Sequence, residues 1–480
     1  MKIAMIASEA NPLYHTGGLA EVVYSLSRSL NSLGHETIVI VPFYKYLKNY
    51  KESIKPEFVG SFNVFMSWRN QYTGVFKLVY NGITFYLIDN EQYFMRDEIY
   101  GFNDDNERYA FFSIAALESL RLINFHADII HVHDWQTSII PCLLKEKYNR
   151  DSFFKGVKSA LTIHNPAFKG FMDKYFLNNY FGLSDSLYDL GKVRFDGLVS
   201  TLKAGIVYAD VISTVSPTHR DELLDPLSSF KFNYVLELRR DDFVGIVNGI
   251  DYDEYNPEKD EIIAKTYSHT SFAKAKEVCK TDLLKSFPIK ETKGPVFGLV
   301  TRLSEQKGLD LLLANIPYLM NEGASLVIVG SGEKDIQNKL QAFRDQYPDR
   351  IGVYFGYNTN LAHKIFAGSD FFLMPSQFEP CGIGQLISER YGTLPVARET
   401  GGLKDTIISF DGSNATSATG FLFTNFNADE LRASLEKALS LYHDKTTMNK
   451  LVKNAMNRDS SWDKSAQEYI KLYEKALLKL

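Results

Sequence analysis

Residues 2–7 form a short apolar run, a polar turn follows at His15-Thr16-Gly17-Gly18, and beyond it the apolar positions change period. Leu19, Val22, Val23, Leu26, Leu30 and Leu33 recur at three- and four-residue steps, which predicts a helix over 19–33 that Gly34 stops. Residues 37–41 are again β-rich. Strand, helix and strand in that order make a βαβ unit, and such units build parallel sheets covered by helices. Similar apolar runs at 129–132, 159–163 and 211–215 extend the series.

A second series begins near Pro295. Strands are expected at 296–300, 325–329, 352–355, 371–374 and 394–397, with a helix over 309–319 and further helical stretches between them. Two such series separated by a long middle predict two doubly wound α/β domains, 1–244 and 245–460, divided just before Gly249-Ile250-Asp251. The last segment, 461–480, places Ala466, Tyr469, Ile470, Tyr473, Ala476, Leu477 and Leu480 on one face of a long amphipathic helix. No tandem repeat and no low-complexity linker interrupts this order.

Composition narrows the class without deciding it. The 480 residues are 45% hydrophobic and 23% charged, a globular balance that excludes disorder and collagen-like repeats. Lysine and arginine number 53 against 58 acidic residues, so no global field draws the chain to nucleic acid or to an anionic membrane. An anionic ligand must be held by a few local cations and backbone amides. No apolar stretch is long enough to span a membrane, and the first residues meet Ser8, Glu9 and Asn11 too early for a leader core. Three cysteines, Cys142, Cys279 and Cys381, show no paired ligand spacing and fit a reducing compartment, so a cytoplasmic protein is expected.

Open parallel sheets bind ligands at the carboxyl ends of their strands, and two such sheets facing each other would form one cleft. The chemistry is therefore sought in the loops after strands. Gly17-Gly18 opens a helix, where bare Cα atoms let amides approach a phosphate, although such a turn is often only a turn. It is not the dinucleotide fingerprint, and no P-loop is present. Arg302 and Lys307 follow a strand in Val300-Thr301-Arg302-Leu303-Ser304-Glu305-Gln306-Lys307-Gly308, a pair of cations suited to a diphosphate or, in the plainer reading, to surface ion pairs. Phe378-Glu379-Pro380-Cys381-Gly382 sets a carboxylate and a glycine turn after another strand, and Thr400-Gly401-Gly402 makes a third candidate turn. Cys381 has no base implied near it and reads as a small packing residue.

His131-Val132-His133-Asp134-Trp135 ends one strand and His164-Asn165 ends another. His131 and His133 are expected to part to opposite faces of their strand, which argues against a shared metal site. His164 alone is more often a structural histidine hydrogen-bonded to backbone. No metal-ligand motif accompanies them.

Taken in order, these pieces resemble bacterial glycogen synthases and plant starch synthases. The resemblance is carried by His15-Thr16-Gly17-Gly18-Leu19-Ala20-Glu21, His133-Asp134-Trp135-Gln136, Thr162-Ile163-His164-Asn165 and Val247-Asn248-Gly249-Ile250-Asp251. Arg302 through Asp310, Glu379-Pro380-Cys381-Gly382, Arg390-Tyr391-Gly392-Thr393 and Thr400-Gly401-Gly402-Leu403 complete it, so it spans the chain.

The resemblance implies a GT-B fold, with two Rossmann-like domains facing across a cleft and a final helix crossing back to the first. It implies transfer of glucose from ADP-glucose to the non-reducing end of an α-1,4-glucan, with retained configuration and neither cofactor nor metal. By the same resemblance Arg302 and Lys307 neutralise the leaving diphosphate and Glu379 bonds the donor glucose. His164 and Asn248 hold its hydroxyl edge, and Asp134 faces the reacting sugar and the acceptor. His15, Gly17, Gly18, Cys381, Gly382, Thr400, Gly401 and Gly402 fall on the donor side, the glycine turns offering amides, while Glu21 and Trp135 fall beside acceptor or sugar. Two positions depart from the family pattern: His15 stands where a lysine is usual and Glu21 where an aspartate is usual. The first leaves the donor open between ADP-glucose and UDP-glucose. A non-catalytic glucan-binding relative is the reading from another class, and the retained Arg302, Lys307, Glu379, His164 and Asp134 argue against it. A Rossmann oxidoreductase lacks its fingerprint here.

Overall fold

Ile3, Ala4, Met5 and Ile6 of the first strand, β1 (Lys2–Ile6), are all fully buried, as an apolar run must be when helices cover both faces of its sheet. A computed structural model of the chain describes residues 1–14, 16–48, 55–290 and 293–479. The helix Gly18–Ser32 follows β1, and just past its end Gly34 takes a left-handed φ of +88° that glycine adopts without strain. The strand β2 (Glu36–Pro42) then returns parallel to β1, with Lys2 opposite Glu36 and Ile6 opposite Ile40. Side chains alternate across these strands. Ala4, Ile6, Ile38 and Ile40 enter one core, and Ile3, Met5, Val39 and Val41 enter another on the opposite face.

The chain divides into two units, Met1–Ile246 with Trp462–Leu480, and Val247–Ser461. The first unit continues with β3 (Glu57–Met66), β4 (Arg69–Tyr80), β5 (Ile83–Asp89), β6 (Ile129–His133) and β7 (Lys158–Ile163). A small sheet of β8 (Phe171–Met172), β9 (Arg194–Phe195) and β10 (Leu198–Ser200) precedes β11 (Val211–Thr214) and β12 (Phe243–Gly245). The main sheet runs β12-β11-β7-β6-β1-β2-β5-β4-β3. It is parallel from β12 to β5, and β4 and β3 extend it antiparallel, an addition the apolar pattern did not announce.

The terminal helix, Trp462–Leu477, belongs to this first unit and buries Trp462, Ala466, Tyr469, Leu472, Tyr473 and Ala476 in the same core as Val22, Val23 and Leu26. Its buried stripe is narrower than the expected face. Ile470 is only half-buried and Leu477 is exposed, while Leu472 turns inward; Leu480 lies outside the described residues.

The second unit repeats the architecture with β13 (Val296–Val300), β14 (Ser325–Gly330), β15 (Ile351–Phe355), β16 (Phe371–Met374), β17 (Leu394–Arg398) and β18 (Phe421–Phe423). Its sheet is parallel throughout in the order β15-β14-β13-β16-β17-β18, so β13 and β16 are neighbours and their carboxyl ends lie side by side. All three cysteines are free and buried. Among the described residues no helix is long and apolar enough to cross a membrane.

Candidate active site

In the first unit the carboxyl ends of β1, β6 and β7 gather the polar residues. β1 runs on into Ser8 and Glu9, both buried. The Glu9 carboxylate accepts the Thr16 amide at 2.5 Å and the Thr16 hydroxyl at 3.0 Å, with the Tyr100 hydroxyl at 3.4 Å, and burial pushes its pKa up. This fixes the loop that leads into the helix Gly18–Ser32. Its N-cap is Gly17, which has no side chain to cap the first amides, and a Cβ at Gly17 or Gly18 would meet nothing within 4 Å. Nothing in the packing of the described residues therefore requires glycine here. Glu9 was not singled out from the sequence; an acid just past the buried run Ile3-Ala4-Met5-Ile6 was the available sign. His15 lies outside the described residues.

Glu21 is spoken for by its own helix and by the loop before it. Asn11 Nδ2 donates to its Oε2 at 2.7 Å and Ser25 Oγ to its Oε1 at 2.5 Å, so it straps the loop to the helix.

Asp134 follows β6 with φ +52°, a left-handed conformation uncommon for aspartate. The twist turns its carboxylate back onto the end of β7, where Oδ1 accepts the amides of His164 at 2.7 Å and Asn165 at 3.1 Å. Oδ2 makes no hydrogen bond among the described residues. Burial pushes this carboxyl up to about 7, against the pull of the two amides. Trp135 turns into packing: its ring meets Tyr109 edge-on at 5.4 Å, and its carbonyl accepts the Thr201 hydroxyl.

His131 and His133 lie on one face of β6, not on two, because strand positions two apart point the same way. Their ring centroids lie 4.3 Å apart with the planes tilted by 33°, and His133 Nδ1 stands 3.1 Å from His164 Nε2. The expectation that they part is corrected. Burial keeps all three imidazoles uncharged, with His131 and His164 lowered to about 3. Among the described residues no group of three or more histidine, cysteine or acidic side chains is placed to hold a metal ion.

In the second unit Arg302 and Lys307 follow β13, as the spacing placed them. Arg302 is exposed. Lys307 ends a single 3-10 turn, Glu305–Lys307, and Gly308 after it has φ +68° with Pro375 so close that a Cβ would stand 1.9 Å from its carbonyl oxygen. That approach brings the two loops together. Lys307 Nζ donates to Glu379 Oε2 at 2.7 Å, and Ser376 Oγ donates to the same oxygen at 3.0 Å. Glu379 is buried, yet its Oε1 makes no hydrogen bond among the described residues.

The turn at Thr400 works differently from the expectation. Gly401 has φ +44° and a Cβ there would stand 1.9 Å from the Glu379 carbonyl oxygen; one on Gly402 would stand 2.1 Å from that of Cys381. The Gly402 amide already donates to the carbonyls of Glu379 and Pro380. The Thr400 amide donates to the Arg398 carbonyl. These residues seat the Glu379 loop by close packing instead of offering those amides to a ligand. Gly382, at φ +75°, continues that loop. Cys381 is buried with its thiol pushed up to about 12, which makes it a packing group and not a nucleophile. The Asn248 amide bonds to that thiol, while Asn248 Oδ1 is buried with no partner among the described residues. A buried acceptor left unpaired is costly, so Asn248 has hydrogen-bonding capacity in reserve.

The family described as starch synthase catalytic domain matches residues 2–237, and glycosyl transferases group 1 matches residues 281–458. The glycogen synthase of Clostridium beijerinckii is 44% identical, covering 98% of each chain, and that of Clostridium kluyveri 42% identical, covering 99% of this chain and all of the relative. The chain belongs to the glycogen and starch synthase family. The solved catalytic domain of starch synthase IV from Arabidopsis thaliana, bound to ADP and acarbose, is 29% identical and superposes with a TM-score of 0.90 over 99% of both chains. The fold is GT-B, and the protein is a glycosyltransferase of the glycogen synthase kind.

Proposed function

We propose that this enzyme transfers glucose from ADP-glucose to the non-reducing end of an α-1,4-glucan with retention of configuration. The observation that carries the reading is the Lys307–Glu379 arrangement at the carboxyl ends of β13 and β16. One carboxylate oxygen is held by a lysine and a serine, and the other remains available to a sugar hydroxyl. Breaking the bond between glucose and diphosphate leaves negative charge on the nucleotide and oxocarbenium character on the sugar, so fixed cations act most strongly in the transition state. Lys307 and the exposed Arg302 are assigned that task, which places the charge neutralisation on side chains instead of on a metal. Asn248 Oδ1 and His164 are assigned sugar hydroxyls, and the open amides behind Gly17 and Gly18 a phosphate or sugar oxygen. Asp134 is assigned the side of the reacting sugar and the acceptor.

The adenine nucleotide is carried over from the starch synthase solved with ADP. Labelled ADP-glucose and UDP-glucose, each offered with glycogen and with short maltooligosaccharides, test the reading. Transfer from ADP-glucose to both acceptors is expected. Transfer from UDP-glucose alone would overturn the donor assignment, and none from either would overturn the activity.

A further inference from the structure

Three imidazoles and a tyrosine form one connected run inside the first unit. His164 Nε2 stands 3.1 Å from His133 Nδ1, the His133 ring packs against His131 in a tilted contact at 4.3 Å, and His131 Nδ1 stands 2.8 Å from the Tyr473 hydroxyl of the terminal helix. His131 Nε2 meets Thr162 Oγ1 at 2.7 Å, and Thr162 in turn meets Ser213 Oγ at 2.7 Å. Both nitrogens of His131 are thus fixed, and its ring supports His133 from behind.

A proton count follows. Each uncharged imidazole carries one N–H and one bare nitrogen. His133 Nε2 is buried and has no partner among the described residues. A proton there would be a buried donor with nothing to accept it. A bare nitrogen there is the milder defect, since buried orphan donors are rarer than buried orphan acceptors. The proton of His133 therefore sits on Nδ1 and is donated to His164 Nε2. That nitrogen must be bare to accept it, so the proton of His164 sits on Nδ1, which makes no hydrogen bond among the described residues.

We propose that His133 and Tyr473 are positioning residues that fix His164 as an Nδ1–H donor, aimed at a hydroxyl of the sugar substrate. The role rests on the assignment of His164 to the sugar; the tautomer does not. Histidine in water prefers the opposite tautomer, so the contact with His133 has a readable consequence. The terminal helix, through Tyr473, is then part of what shapes the site and not only of what covers the sheet.

Long-range ¹H–¹⁵N spectra of the labelled full-length protein read the tautomers directly. His164 is expected to show a bare Nε2 and a protonated Nδ1 in the wild type, and to lose that preference in His133→Leu. The two amide replacements separate position from bulk. His133→Asn places an N–H near the Nδ1 site, His133→Gln near the Nε2 site. Asparagine is expected to keep kcat/KM within a fewfold, and glutamine and leucine to lose roughly tenfold, the worth of one hydrogen bond of about 1.4 kcal/mol. Tyr473→Phe is expected to shift the His131 nitrogens and to raise KM for the nucleotide sugar severalfold with kcat little changed. A protonated Nε2 on wild-type His164 would overturn the proposal without any variant. Equal losses in the asparagine and glutamine variants would overturn the positioning role. If His164→Ala retained full turnover, the assignment of His164 to the sugar would fall and the positioning role with it, while the tautomer would stand.

Discussion

Lys307 Nζ and Glu379 Oε2 meet at 2.7 Å, and both side chains are largely withdrawn from water. They come from loops after adjacent strands, β13 and β16, so the pair joins two elements as well as two charges. Gly308 packs against Pro375 and Gly401 against the Glu379 carbonyl, which leaves the two loops little freedom to separate. The carboxylate is thereby held with one oxygen occupied and one presented.

Removing either partner strands a buried charge, so Lys307→Ala and Glu379→Ala should each destabilise by up to about 3–5 kcal/mol. Lys307→Met with Glu379→Gln should cost less than the sum of its single changes, with a coupling of roughly 1–3 kcal/mol. Each single variant should also lose about 10²–10³-fold in turnover, the usual effect of removing one charge-stabilising group. Chemical denaturation with steady-state transfer assays checks both. Additive stabilities would show that the pair does not act as a unit.

Two glycines should separate packing from ligand approach. Gly401→Ala puts a methyl 1.9 Å from the Glu379 carbonyl oxygen at a φ of +44°, so a loss of roughly 2–5 kcal/mol is expected. Gly17→Ala adds a methyl in open space at an extended φ of −162°, and stability should stay within about 1 kcal/mol. If the amides behind Gly17 approach the substrate, the same change should raise KM for the nucleotide sugar about tenfold. Thermal melts beside KM measurements decide; an unchanged KM would remove this turn from the site.

Both sheets were legible in the sequence because their central strands are short apolar runs and their helices keep the 3.6 period. The hairpin of β3 and β4 was not. Its outward positions carry Phe58, Phe65, Trp68 and Tyr72, all exposed, so no clean polar alternation marks it, and a register shift between Phe58 and Gly60 breaks the period further. Its turn is Ser67-Trp68, with Ser67 at φ +56°, and lacks the Asn-Gly or Asp-Gly that flags such turns. In the site, Lys307 and Glu379 could be read from their places after strands, but their mutual contact depends on strand order, which spacing does not give. The histidine pair shows the reverse: parity along a single strand puts His131 and His133 on one face, and the expectation that they part misapplied that rule. The Thr400 turn needed the facing loop, since only its proximity shows that the Gly402 amide is already used.

Glu389 predicts a pH-dependent stability outside the site. It is fully buried in the helix Gly384–Arg390, and burial pushes its carboxyl up to about 8 despite the opposing pull of Arg458. The folded state then holds a proton that the unfolded state gives up near its ordinary value of 4.5. Stability from this group is complete below that value and is lost as pH rises through about 8. Glu389→Gln keeps the shape without the titration, so its advantage over wild type should grow by up to about 4 kcal/mol between pH 5 and pH 9. Parallel denaturation curves at several pH values measure it. A gap independent of pH would mean that the carboxyl titrates normally.

Asp134 carries the same logic into the site and adds a neighbour. Its carboxyl is raised from 3.8 to about 7, first by burial and then by the charge of Glu9, while the amides of His164 and Asn165 pull it down. Because the folded pKa is the higher one, wild-type stability should fall between about pH 4 and pH 7 relative to Asp134→Asn, whose Oδ1 can still accept both amides. The total is about 4 kcal/mol at most. Glu9→Gln removes a nearby negative charge, so the Asp134 midpoint should move towards acid. Glutamine can still accept from Thr16, which keeps the loop before Gly17 in place. Carboxyl ¹³C titration of the two proteins reads the midpoint, and transfer rates across the same range show which protonation state of Asp134 turns over. An Asp134 midpoint unmoved by Glu9→Gln would mean that the two carboxyls at the ends of β1 and β6 titrate independently, and that burial and the two amides set the value.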